Sequence, residues 1–373
     1  MENNSRNITT SHRVIISGGG TGGHIFPAIA IANALKSIDN SIEILFVGAE
    51  GRMEMDKVPA AGYKIIGLPI AGFYRKKLYK NYEVIIKLIK SLLQARKIIK
   101  EFKPDIAIGV GGYASGPMLW MASRTKIPCY IQEQNSYAGI TNKLLSRSVS
   151  KIFVAYEGME RFFPINKIVL AGNPVRQGLE NANNSKQEAF EFFGLEPNKK
   201  VILSIGGSLG ARTINQSIVK ALKQLGNSNV QFIWQCGSLY HKDARKELDN
   251  SGIQNVKLYD FITRMDLAYA AADVIISRAG ASSISELCIV GKPVILVPSP
   301  NVAEDHQTKN AMALVNKGAA LMIDDIEAKD KLITRLLELL TNETLCKSLS
   351  ENIKKLALYN AADNIAREII NRK

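Results

Sequence analysis

Two stretches of this chain open in the same way, and no other feature limits its fold as much. "RVIISGGGTGGH" (13–24) and "KVILSIGGSLGA" (200–211) each run from a basic residue through a β-branched apolar strand into a glycine turn, and a helical pattern follows. A short strand that feeds a helix through a tight glycine turn is how a doubly wound parallel sheet begins. One such turn is ordinary; two, about 190 residues apart, predict two sheets of this kind. Ligands of such sheets sit beyond the carboxyl ends of the strands, where these turns lie. A glycine turn that opens a helix presents backbone N–H groups beside the positive end of the helix dipole. Either turn therefore suits a phosphate or diphosphate.

The rest of the chain keeps the rhythm. Apolar runs at 13–17, 42–48, 63–68, 106–110 and 129–133 form one set of strands; those at 200–206, 230–236, 274–277 and 294–298 form a second. The polar stretch 181–200 lies between them and reads as the entry to the second half. The expected fold class is α/β, with two Rossmann-like doubly wound domains facing across a cleft, residues 1–175 and 176–351. The closing segment 345–373 is one long helical pattern. It either caps the second domain or, over about 352–373, packs back on the first.

Composition removes several classes of function. With 46% hydrophobic and 22% charged residues the chain reads as a soluble globular protein, and no apolar run is long enough to span a bilayer. The polar start, residues 1–13, lacks the apolar centre of a secretory signal and reads as a frayed tail. The four cysteines lie far apart, as expected of buried thiols in a reducing compartment. The four histidines show no metal-ligand spacing, so no metal site is expected. The net charge of +14 is concentrated: ten Lys/Arg against two acids fall between residues 70 and 103, placing +8 there. Such a patch suits an anionic membrane, a nucleic acid or another polyanion.

Gly18, Gly20 and Gly23 match the spacing of a dinucleotide-binding turn. That reading needs an acid at the end of the second strand to hold a ribose. Glu43 lies inside the strand and Glu50 beyond it in "GAEGRME"; neither fits cleanly. In the second half, "GGSLGA" offers the Ser208 hydroxyl to a phosphate oxygen. "GNPVR" offers Arg176, either as a clamp on a second oxygen or as half of a surface ion pair. In "SRAGASSISE", Glu286 either accepts ribose hydroxyls or is an acid favoured by a helix N-terminus. In "EDHQTKNA", Gln307 reads sugar hydroxyls, or the segment is a helix start capped by Glu304 or Asp305. "GGYASGP" and "QEQNSYAGITNK" follow two strands of the first half and bring Tyr113, Glu133 and Asn135 to the cleft side.

Taken in order, "GGGTGGHIFPAIAIA", "GVGGYASGP", "QEQNSYAGITNK", "AGNPVR", "GGSLGARTIN", "RAGASSISE" and "DHQTKNA" resemble the peptidoglycan N-acetylglucosaminyltransferase family, the MurG family, over about residues 12–370. The resemblance implies a GT-B type glycosyltransferase that moves GlcNAc from UDP-GlcNAc to lipid I, giving lipid II at the cytoplasmic face of the cell inner membrane. It implies an N-terminal acceptor and membrane domain, a C-terminal UDP-GlcNAc domain, and no cofactor. Carried over by position, Thr21, Gly22 and Gly23 line the donor site, Asn135 contacts the GlcNAc, and Arg176 and Ser208 contact the diphosphate. The backbone at Ile262 and the turn Ala281, Ser282, Ser283, Ile284, Ser285 and Glu286 hold uracil and ribose, and Gln307 contacts the sugar. The acceptor-side motifs match at His24, Tyr113 and Glu133. Three positions depart from the family's usual residues: Leu209 for a frequent Gln, Gln132 for a frequent His, and His306 for a frequent Gln.

For the chemistry, a single inverting displacement needs a base for the acceptor hydroxyl. His24 is the first candidate, because the positive end of a helix favours the neutral ring; it is otherwise a histidine that fastens its loop. Glu133 is the second. The segment 70–82 mixes Phe73, Tyr74, Leu78, Tyr79 and Tyr82 with Lys/Arg, which suits anionic lipid headgroups better than nucleic acid. The stripe Ile85, Ile86, Ile89, Leu92 and Leu93 on the following helix, widened by Val84 and Leu88, either continues that surface or packs on the sheet. Alternatives are another GT-B enzyme with a lipid-linked acceptor, a nicotinamide-dependent oxidoreductase, and a non-enzymatic binder of membranes or nucleic acid.

Overall fold

The computed structural model describes residues 12–72, 81–176, 179, 185–207, 209–302 and 305–371. The N-terminal tail to residue 11, Phe73, Tyr74, Leu78 and Tyr79 with their basic neighbours, the start of the polar stretch at 181–184, Ser208 and Glu304 lie outside the described residues. The chain divides into two compact units, Met1–Val175 with Asn360–Lys373, and Arg176–Tyr359.

In the first unit, β1 (Arg13–Ser17), β2 (Glu43–Ala49), β3 (Lys64–Leu68), β4 (Ile106–Gly109), β5 (Cys129–Glu133), β6 (Lys151–Val154) and β7 (Ile168–Leu170) form a parallel sheet in the order β3-β2-β1-β4-β5-β6-β7. In the second, β8 (Lys200–Ile205), β9 (Val230–Gln235), β10 (Val256–Tyr259), β11 (Val274–Ser277), β12 (Val294–Leu296) and β13 (Leu321–Met322) are likewise parallel, in the order β10-β9-β8-β11-β12-β13. Each unit is the doubly wound α/β sheet expected. In each, the strand order reverses beside the strand that opens it, between β1 and β4 and between β8 and β11. Such a reversal leaves a crevice at the strand ends.

Helices cover both faces of each sheet, which is why the central strands read as unbroken apolar runs. Val14 and Ile16 pack into one core with Ile25, Ile31 and Leu35, while Ile15 faces the other with Leu119 and Ile131. The strands that the sequence pattern did not reveal are β7, β10 and β13, which lie at sheet edges, and β6, which lies next to one. They exist because a neighbouring strand pairs with them, a tertiary contact that their own residues do not announce.

The closing segment is two helices and not one. Glu343–Lys354 packs in the second unit through Leu349. The chain then turns at Asn360, which is left-handed at φ 55°, and Ala361–Ile370 follows. Ile365, Ala366 and Ile369 complete the core of the first unit, and Glu368 pairs with Lys151.

The helix Asn81–Phe102 resolves the open reading of its stripe. Val84, Ser91, Ala95, Ile98 and Ile99 face inward, while Tyr82, Ile85, Ile86, Ile89 and Leu93 are about half exposed or more. Most of the apolar residues named for packing on the sheet therefore point outward. Cys129, Cys236 and Cys288 are buried free thiols as expected, while Cys346, also expected to be buried, is a half-buried free thiol. Burial pushes Cys129 and Cys288 up to about 12 and Cys236 to about 11, so none is a thiolate nucleophile at neutral pH.

Candidate active site

The first glycine turn lies at the reversal point of the first sheet and is already occupied by a side chain. Glu54, the first residue of the helix Glu54–Ala60, is 1% exposed. Its carboxylate accepts the Gly20 N–H at 2.9 Å and the Ala49 N–H at 3.0 Å. A Cβ at Gly19, where φ is +147°, would come within 2.1 Å of Glu54 Oε1. The backbone also meets the turn after β4: the Gly19 N–H donates to Gly111 O at 3.3 Å. The expectation that this turn lets a diphosphate approach its backbone is therefore not what the geometry favours. An N–H of the turn is already spent on a carboxylate, and a second anion there would face that charge.

His24 sits on this turn, in the first turn of the helix Gly22–Ile38. Its Nδ1 lies 3.1 Å from Gly19 O and 3.3 Å from Thr21 Oγ1. A carbonyl only accepts, so the proton belongs on Nδ1 and the lone pair of the neutral ring on Nε2. The ring edge lies over Gly111, where a Cβ would meet Nε2 at 2.8 Å. Thr21 and Gly23 are exposed and Gly22 half-buried beside it.

Glu133 is at the end of β5 and is 2% exposed. Its two oxygens accept from Asn135 N (3.1 Å), Asn135 Nδ2 (3.4 Å), Gly139 N (3.0 Å) and Asn142 Nδ2 (2.8 Å). Burial raises its carboxyl above the usual range, opposed by these hydrogen bonds. With both oxygens engaged it is built as the anchor of its loop, which weakens its candidacy as base. Asn135 is held against it. Tyr113 is exposed, its ring against Gly72. Gln132, at the position of a frequent histidine, is fully buried and donates to Asn173 Oδ1 at 2.8 Å. It serves the packing behind the loop.

The second glycine turn opens onto a cavity of about 750 Å³. Gly206, Gly207, Gly210 and Ala211 line it with Arg212 and Thr213 from the start of the helix Arg212–Lys220. Arg278, Gly280 and Ser283 line it from the turn after β11, and Ser299, Gln307 and Asp325 from beyond β12. No acid lies in the first turn of the helix Arg212–Lys220, so its N-terminal N–H groups keep their attraction for an anion. Arg278 spans the cavity wall to Val297 O (2.9 Å), Pro298 O (3.2 Å) and Asp325 Oδ1. Gln307 Oε1 accepts the Ser299 N–H at 2.9 Å, tying two lining segments together. Asp305 accepts from Thr308 Oγ1 at 2.7 Å.

Glu286 lies in the second turn of the helix Ala281–Val290 and is 8% exposed, so the helix-end reading does not describe it. Tyr269 donates to its Oε2 at 2.9 Å, and Arg176 Nε lies 3.4 Å from its Oε1. Burial raises the Glu286 carboxyl, and the Arg176 charge opposes the rise. Arg176 thus forms an ion pair and is not among the residues lining the glycine-turn cavity. Ser282 Oγ is buried without a hydrogen-bond partner among the described residues. Ile262, 3% exposed, offers its N–H to Gln235 Oε1 at 3.4 Å.

Residues 14–154 match the glycosyltransferase family 28 N-terminal domain, and residues 201–365 match its C-terminal domain. A UDP-N-acetylglucosamine--N-acetylmuramyl-(pentapeptide) pyrophosphoryl-undecaprenol N-acetylglucosamine transferase of Parabacteroides distasonis is 63% identical over 96% of this chain and 98% of its own length. The chain belongs to this transferase family. Its Bacteroides fragilis member is 57% identical over 99% of this chain and 98% of its own length. The crystal structure of Acinetobacter baumannii MurG superposes with a TM-score of 0.79 at 28% identity, over 97% of this chain and all of that one.

Membership leaves three features that sequence reasoning missed. Glu54 lies in the "GAEGRME" segment already searched for a ribose acid, four residues past Glu50. Glu43 pairs instead with Arg13 at the opposite end of the sheet. Tyr269 and the Arg278–Asp325 pair had no local signal, since their partners lie 17 and 47 residues away.

Proposed function

We infer that the chain is the N-acetylglucosaminyltransferase that moves GlcNAc from UDP-GlcNAc to the 4-hydroxyl of the MurNAc of lipid I, forming lipid II for peptidoglycan. The observation that carries this is sequence identity sustained through both units with transferases of that name. The second unit is the UDP-GlcNAc domain in this reading. Its cavity joins a helix N-terminus, Arg212 and Gln307, which suits a diphosphate with a sugar attached. Ser208 and Ser282 contribute hydroxyls, and Ala281, Ser285, Ile284 and Glu286 with Ile262 hold uracil and ribose. Tyr269 and Arg176 leave acceptor sites on the Glu286 carboxylate for the ribose hydroxyls, and Arg176 contacts the diphosphate in this reading.

The first unit carries the acceptor side. The acceptor O4–C1 bond forms as the bond from C1 to the diphosphate oxygen breaks, with inversion. UDP leaves with the electron pair, and the acceptor proton passes to His24 Nε2. Thr21, Gly22, Gly23, Tyr113 and Asn135 shape the surroundings of that transfer. A nicotinamide reading of the first turn is disfavoured by Glu54, whose carboxylate holds the N–H that a pyrophosphate would need.

None of the described helices is long and apolar enough to cross a membrane. The exposed Tyr82, Ile85, Ile86, Ile89 and Leu93, flanked by Lys87, Lys90, Arg96 and Lys97, support peripheral attachment to an anionic membrane at the cytoplasmic face. The test is incubation with UDP-GlcNAc and a lipid I analogue, following UDP release and the disaccharide product. Release with product is expected, and release without product, or none, sinks the reading. Co-sedimentation with vesicles should rise with anionic lipid and fall with salt; indifference to both would remove the membrane assignment.

A further inference from the structure

We propose that Glu54 is a positioning residue for the transfer, acting on His24 through the Gly19–Gly20 peptide group. The proposal rests on the transfer reading above and on His24 as its base. One peptide plane joins the two side chains. Its N–H, on Gly20, donates to Glu54 Oε2 at 2.9 Å, and its C=O, on Gly19, accepts from His24 Nδ1 at 3.1 Å. The order is carboxylate, peptide, imidazole. It does the work of a carboxylate that orients a catalytic histidine, with a peptide interposed.

Three consequences follow from that geometry. The carbonyl fixes the proton on Nδ1, so Nε2 is the nitrogen that can take a proton. A negative charge on the N–H side polarises the peptide and makes its carbonyl a stronger acceptor. That strengthens the bond to Nδ1–H most when the ring becomes an imidazolium, as it does when the acceptor hydroxyl is deprotonated. Glu54 is 1% exposed, so water screens this field little.

The rest of the loop is shaped to hold the carboxylate. Ala49 N–H anchors Oε1 at 3.0 Å, and a Cβ on Gly48 would meet Glu54 Cγ at 2.5 Å. A purely structural anchor would account for these contacts as well. It would not account for a dependence on His24, and that dependence is what the experiment reads.

The experiment is a double-mutant cycle on the full chain, with steady-state kinetics for UDP-GlcNAc and a lipid I analogue. The variants are Glu54→Gln, His24→Ala and both together, with thermal melting of each. Wild-type transfer is measured first; its absence would remove the transfer reading and this proposal with it. With transfer present, Glu54→Gln is expected to lower kcat about 10- to 100-fold and to leave the UDP-GlcNAc KM within about twofold. In the His24→Ala background the same change should cost less than about twofold, because Glu54 then has nothing to act on. Glu54→Asp keeps the charge and should recover part of kcat; it replaces the Gln variant in the cycle if that one fails to fold. Losses that multiply in the double variant overturn the proposal. So does an effect of Glu54→Gln on donor KM in place of kcat, or no effect on kcat.

Discussion

The two glycine turns that open the two units are nearly interchangeable as sequence and differ as sites. Each follows the first strand of a doubly wound sheet, precedes a helix without an acid in its first turn, and lies at the point where strand order reverses. The first is closed by the chain's own carboxylate, Glu54. The second opens onto a cavity lined by Arg212, Arg278 and Gln307. A glycine turn at a helix N-terminus is therefore an opportunity for an anion. Whether the anion is a ligand or an internal side chain depends on what the neighbouring strand delivers. In the first unit the segment after β2 delivers Glu54; in the second the segment after β9 delivers Gly237, which brings no side chain, and a Cβ added there would lie 2.1 Å from Gly210 N.

The contrast can be broken most directly by adding one methyl group to each turn. In Gly19→Ala the new Cβ would lie 2.1 Å from Glu54 Oε1; in Gly210→Ala it would lie 2.1 Å from Cys236 O at a φ of +86°. Each should cost about 1–3 kcal/mol in its own unit through backbone strain. The kinetic effects should separate: kcat falls about 100-fold for Gly19→Ala with donor KM unchanged, and donor KM rises about 100-fold for Gly210→Ala. Parallel kinetics showing the same parameter moved by both would erase the distinction.

A smaller effect sharpens the second site. Arg278 and Asp325 are both mostly buried, at 16% and 20% side-chain exposure. Asp325→Ala leaves the guanidinium, among the described residues, with Val297 O and Pro298 O as partners, which should destabilise the second unit by about 3 kcal/mol. Urea unfolding reads this, and an unchanged midpoint would show that the pair is not holding the cavity wall. The smallest expected effect is at Tyr269. Tyr269→Phe removes one hydrogen bond to Glu286, about 1 kcal/mol, and should raise the donor KM about three- to tenfold with kcat within about twofold. A donor KM that does not move would separate Glu286 from the donor site.

Much of the fold was legible in the residues. The long central strands announce themselves because both faces are covered, so Val14, Ile15 and Ile16 are all apolar although they point to alternate sides. The edge strands β7, β10 and β13 were not legible, and β13, with two residues, has no pattern of its own. The break at Asn360 was hidden because apolar residues recur at helical spacing on both sides of it. Glu133 lies beside Asn135, and four hydrogen bonds make that carboxylate an anchor, which no residue count could reveal.

By itself the sequence determined the class of fold, the family and the chemistry at hand, because strand and helix periods and ordered motifs are local properties of the chain. Only the tertiary structure decided which acid reaches the first turn. Glu54 acts on Gly20 across 34 residues, and it does so because β2 lies beside β1 in the sheet and the next helix folds back over the strand end. Side-chain direction and burial at that junction are set by packing between elements, and packing has no signature within either element alone.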